Sequence, residues 1–203
     1  MHPRIPRQSA HDQGVRRPDD DAGLGAELAA VVAGARRRAV RDGDRQIDTA
    51  HLLHSLLESD PDVRAVIGDA PQIARLLGYL VQRSIGYGLR WQSTVEDSGA
   101  IPVAKSGDPK DAGSGDAGYR DAAARDSDGW SPLAAAAMEH ARGRAGRRGD
   151  ARARCTDLLA GIVADPQARA VEVLGRAGVM VRDLLARIDS HSGEYAGDGG
   201  AAR

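Results

Sequence analysis

Ile47-Asp48-Thr49-Ala50-His51-Leu52-Leu53-His54-Ser55-Leu56-Leu57 decides how the rest of the chain is read. Leu52, Leu53, Leu56 and Leu57 recur at the three- and four-residue spacing that lines one face of a helix, which predicts a buried central helix. Asp48 or Thr49 can cap its start, and Asp60 followed by Pro61 offers a cap and a proline at the first position of the next helix. Ahead of it, Leu24, Leu28, Val31, Val32, Ala35 and Ala39 mark the stripe of a first helix, with Arg36, Arg37, Arg38 and Arg41 on its outer face. Gly43 stands where a left-handed terminating residue is wanted. Beyond Gly68, Ile73, Leu76, Leu77, Leu80 and Val81 repeat the helical period once more.

The unit returns 106 positions further on. Ala35-Arg36-x-Arg38-Ala39-x-Arg41-x-Gly43-Asp44 is answered by Ala141-Arg142-x-Arg144-Ala145-x-Arg147-x-Gly149-Asp150. Leu52-Leu53 is answered by Leu158-Leu159, and Leu56-Leu57 by Ile162-Val163. After a one-residue deletion, Asp60-Pro61-x-x-Arg64-Ala65-Val66 becomes Asp165-Pro166-x-x-Arg169-Ala170-Val171. These matches predict a duplicated helical unit. Ser131-Pro132 opens the second copy, whose first helix places Arg142, Arg144, Arg147 and Arg148 outward.

Thr-x-His-Leu-Leu-x-x-Leu-Leu after a helix ending in Gly-Asp, followed by a short helix with Arg-Ala-Val, resembles the Clp repeat of the N-terminal domains of Clp ATPases. The resemblance covers roughly residues 23–89 and 131–189. It implies an all-α fold of two pseudo-twofold-related four-helix repeats, about eight helices in all. It also implies a non-enzymatic role, binding proteins or peptides and modulating or competing with a Clp chaperone-protease, with a Clp ATPase, its adaptors or its substrates as partners. The surface near the start of each central helix, around Thr49, His51, Thr156 and Asp157, is where the resemblance puts binding. Some relatives read phosphorylated arginine with a glutamate in each Thr-Glu-His motif. Ala50 and Thr156 stand at those positions here and cannot pair with a guanidinium, so that recognition is expected to be lost or much weakened.

The organisation expected is an arm over 1–22, a first repeat over 23–91, a flexible linker over 92–129, a second repeat over 130–189 and a tail over 190–203. The arm has three prolines, four arginines and almost nothing apolar to bury. The linker is rich in Gly, Asp, Ser and Ala without apolar periodicity. Phenylalanine is absent and aromatics make up 3% of the chain, so the core must come from Leu, Val, Ile and Ala, which favours close helix packing over a sheet.

The net charge of −1 gives no overall drive toward nucleic acid or anionic membrane. No apolar run suits a membrane helix or a signal peptide, and the single cysteine, Cys155, excludes an internal disulfide, so a soluble cytoplasmic protein is expected. Neither Lys105 nor Lys110 follows a glycine, so no phosphate-cradling Walker loop exists. No nucleophile elbow, His-Glu-x-x-His pair or Cys-x-x-Cys is present, and no catalytic residue, cofactor or metal is expected. His51 and His54 stand three apart, a spacing that brings two imidazoles near one metal, but two ligands do not make a site. Cys155 beside Asp157 is expected to be a buried, unreactive thiol. Two further readings compete: a decoy that sequesters small-molecule ligands of the chaperone's own N-terminal domain, and a nucleic-acid-associated helical protein using the Arg36-Arg37-Arg38 and Arg147-Arg148 faces.

Overall fold

A computed structural model describes residues 24–84, Glu96 and residues 129–197. The expected arm, most of the linker and the end of the tail lie outside the described residues. Among the described residues there are eight helices: α1 (Ala26–Asp42), α2 (Thr49–Ser59), α3 (Pro61–Ile67), α4 (Ala70–Ser84), α5 (Pro132–Arg148), α6 (Cys155–Ile162), α7 (Arg169–Arg176) and α8 (Val181–Gly197). They form two sets of four, as the repeated sequence predicts. Among the described residues there is no strand, only one isolated parallel pairing of Ile47 with Trp130. Its two bonds, Ile47 N to Gly129 O at 2.7 Å and Ser131 N to Ile47 O at 2.8 Å, tie the approach to α2 to the approach to α5. No described helix is long and apolar enough to cross a membrane.

The leucine seam behaves as its spacing requires. Leu52, Leu53, Leu56, Leu57, Leu158, Leu159, Ile162 and Val163 are all buried in one core, within which α2 packs on α6. Around that contact the two sets exchange neighbours. α2 packs on α7 and α6 on α3, while α3 meets α8 and α4 meets α7, so the contacts of one set are returned by the other. α1 closes on α2 and α5 on α6. Gly43 and Gly149 end α1 and α5 at φ of 75° and 78°, in the left-handed region, and the following Asp44 and Asp150 N–H groups return to Ala39 O and Ala145 O.

Three departures from the sequence reading have local causes. α8 continues to Gly197, past the expected start of a tail at 190; Ser190 and Ser192 turn their hydroxyls back to Ala186 O and Ile188 O, and no proline interrupts the ladder. Asp60 caps α3 by accepting from Val63 N at 2.9 Å, but its counterpart Asp165 accepts from Gln167 N inside a turn, and α7 begins only at Arg169. Finally, Arg38, Arg144 and Arg148 leave the outer arginine faces. Arg38 pairs with Glu58, and the other two turn toward Asp157.

The α1–α2 and α5–α6 contacts are closed by different residues at matching positions. Ser55 of α2 donates its hydroxyl to Val31 O at 2.7 Å. Gly161 of α6 lies so close to α5 that a Cβ there would sit inside the Ala137 carbonyl oxygen. Gly161→Ala is therefore expected to lower the unfolding free energy by about 1–3 kcal/mol through overpacking. Gly146→Ala, on a face of α5 where a Cβ meets nothing, should raise it by up to about 1 kcal/mol. Urea unfolding of both variants checks the pair.

Candidate functional site

α2 begins inside the protein. Its N-cap Asp48 accepts from His51 N at 2.8 Å, and His51 returns the bond by accepting from Asp48 N through Nδ1 at 3.2 Å. This is a capping box in which an imidazole replaces the usual Glu or Gln. The other Asp48 oxygen, Oδ2, accepts from the Arg169 guanidinium at 2.7 Å, linking the first repeat to the second. His51 Nε2 is buried without a hydrogen-bond partner among the described residues and faces Asp44 Oδ2 at 3.2 Å and Asp42 Oδ2 at 3.6 Å. Asp44, Asp48 and His51 thus bring ligand-type atoms within 4.8 Å of one another. Both Asp48 oxygens already accept from the cap and from Arg169, so this cluster serves the helix start. His54 is not drawn toward His51; its Nε2 lies 3.5 Å from Glu58 Oε1.

The matching start of α6 uses the same scheme with the charges exchanged. Asp157 stands where His51 stands in the first repeat, and its Oδ2 accepts from Arg154 N at 3.0 Å. Arg148, the counterpart of Asp42, holds both Asp157 oxygens at 2.5 Å, and Arg144 reaches Oδ1 at 3.3 Å. Burial alone would raise the Asp157 carboxyl, but the hydrogen bonds from Arg148, Arg154 and Arg144 outweigh it and hold it below the usual 3.8. Cys155 opens α6 where Thr49 opens α2. Burial first, and then a hydrogen bond to Asp60 with the charges of Asp60, Glu27 and Asp62, push its thiol well above the ordinary value. The acidic neighbours that matter are thus Asp60 and its companions across the repeat boundary.

Thr49, His51, Thr156 and Asp157 are all buried, with Asp157 fully enclosed, and Ala50 is equally enclosed. Exposed residues at the two helix starts are Asp44 and Arg45 on one side and Arg152 and Arg154 on the other.

One residue at this site has no counterpart in the sequence reading. Glu96, from the segment expected to be a flexible linker, is 4% exposed. Its Oε2 accepts from Thr49 N at 2.9 Å and from Ser131 Oγ at 2.7 Å; its Oε1 accepts from Arg169 N at 2.7 Å and from the Thr49 hydroxyl. A single carboxylate thereby closes the starts of α2 and α7 and touches the N-cap of α5. The delayed start of α7 makes this possible: Arg169 N is directed to Glu96, whereas the corresponding Arg64 N is directed to Asp60 O. Apart from these starts, a groove of about 460 Å³ lies along α8, lined by Gln72, Val179, Met180 and Asp183 among others.

The sequence matches no protein-family model and no curated protein. Solved structures do match. The N-terminal domain of the caseinolytic protease associated chaperone ClpD from Arabidopsis thaliana aligns with a TM-score of 0.51 at 16% identity, covering 83% of this chain and 94% of that one. The fold is Clp N-terminal-like. A structure from a study of a malarial protein secretion system aligns with a TM-score of 0.52 at 13% identity over the same shares of the two chains.

Two solution properties follow from the buried groups. His54, beside the Clp-like seam, is lowered from 6.5 to about 4, by burial first and then by Arg38. Between pH 6.5 and about 4 the unfolded chain takes up a proton that the folded chain refuses, so acidification through that window removes stability at up to about 1.4 kcal/mol per pH unit. Urea midpoints measured from pH 7 to 4 should fall accordingly, and His54→Gln should flatten the fall. Cys155 should resist a thiol reagent at pH 8 in the folded protein and react fully in denaturant; reaction at the same rate in both would contradict its burial.

Proposed function

We propose that this chain is a non-enzymatic docking module of the Clp N-terminal-domain kind, which binds proteins or peptides and modulates or competes with a Clp chaperone-protease. The likeness of the whole eight-helix arrangement to the N-terminal domain of ClpD, a chaperone described as protease-associated, supports this reading. Partners in this reading are a Clp ATPase, its adaptors or its substrates. The docking face surrounds the starts of α2 and α6, where Thr49, His51, Thr156 and Asp157 lie buried beneath it and support the helix starts, and exposed Arg45, Arg152 and Arg154 form the rim. Rigid caps at both helix starts hold that face in one geometry, which lowers the ordering cost of binding.

Affinity capture from the source lysate is the direct test, with Clp ATPase subunits or adaptors expected among the retained proteins. Their absence in repeated captures would remove the reading. Phosphoarginine binding separates this chain from relatives that use paired glutamates. With Ala50 and Thr156 in those places, calorimetric titration should show no saturable binding in the micromolar range. A tight complex would show that other residues read the guanidinium.

A further inference from the structure

The four donors around Glu96 are fixed in direction before the carboxylate arrives. Thr49 N and Arg169 N are the first N–H groups of α2 and α7, and neither has a partner inside its own helix. The two hydroxyls are fixed by what they accept. Ser131 Oγ accepts from Ala134 N at 3.1 Å, and Thr49 Oγ1 accepts from Ala170 N at 3.1 Å, so each turns its single proton toward Glu96. Two donors meet each Glu96 oxygen, and all three residues that supply them are buried. The two helix starts add positive potential at the same point. Such a cradle fits a planar, acceptor-only group with two oxygens.

We infer that this cradle is a carboxylate-recognition site which Glu96 fills in cis, and that in trans it takes the acidic side chain, Asp or Glu, of a docked peptide. The inference deepens the docking role proposed above and names the chemistry its ligand would present. Glu96 is then an internal competitor: a partner's carboxylate gains the same four charge-assisted bonds only by replacing it.

The test uses the full chain and acetate as the probe. Glu96→Ala leaves the four donors without their anion and should unfold at a lower temperature than the unaltered protein. Sodium acetate should raise that temperature saturably, by mass action, while sodium chloride at the same ionic strength should not. The unaltered protein, with its site filled, should not respond, and Thr49→Val added to Glu96→Ala should abolish the response. If Glu96→Ala is unfolded in buffer, recovery of helical circular dichroism on adding acetate is the same result. An acetate effect no larger than that of chloride, or equally large in the unaltered protein, would overturn the inference. An equal effect from sulfate would overturn it too, since it would show an unspecific anion hole.

A second arm addresses the trans ligand. An N-acetylated, C-amidated glycine pentapeptide with one central glutamate should bind Glu96→Ala at least about tenfold more tightly than its glutamine twin, since only the charged carboxylate accepts at both oxygens. No discrimination between the twins would overturn the peptide claim. Neither arm involves a Clp component, so failure here leaves the lysate capture to decide the docking role by itself.

Discussion

A helix that starts inside a protein leaves N–H groups that water cannot reach, and each must find an acceptor or cost about 1–3 kcal/mol. This chain buries the start of α2 against that of α7, and the start of α6 beside Asp60 at the start of α3, and the placement of its polar side chains follows from that demand. Asp48 and His51 serve α2, Asp157 serves Arg154 at the start of α6, and Glu96 serves α2 and α7 together. The Arg169–Asp48 bridge then fixes how the two sets of helices meet. Such a buried pair adds little net stability over an apolar contact, but it penalises any other register by stranding two charges.

The duplication persists in the backbone more faithfully than in the chemistry. In the first repeat a base, His51, sits near an acid, Asp42; in the second an acid, Asp157, is held by a base, Arg148. The geometric task, returning a bond to the N-cap N–H three residues earlier, is the same in both. An imidazole nitrogen and a carboxylate oxygen can each accept that bond, so the polarity of the surrounding pair was free to invert.

Most of the fold was legible in the sequence because it rests on local periodicity. The Leu52-Leu53 and Leu158-Leu159 pairs, the left-handed glycines Gly43 and Gly149, and the Ser131-Pro132 opening each act over a few residues and do as their spacing says. What escaped depends on partners remote in the chain. Arg144 and Arg148 read as outward on a helical wheel, and only the presence of Asp157 beside them draws them in. Glu96 lies in a stretch whose Gly, Ser and Asp content reads as linker, and its ligands come from Thr49, Ser131 and Arg169, which no window of sequence contains together. Asp165-Pro166 has the letters of a cap and serves as a turn instead, since helix α7 starts at Arg169.

The inverted polarity makes the halves unequal as building blocks. Asp48 crosses the boundary to Arg169, so a partner built from the first half would still offer it a cation, Arg64, at the corresponding place. Two copies of the second half would instead set Arg154 of each, which pairs with its own Asp150, toward Arg169 of the other, a cation where the first half supplies Asp48. The C-terminal half therefore meets the acid that Arg169 uses only in the N-terminal half, which covalent linkage in one polypeptide guarantees.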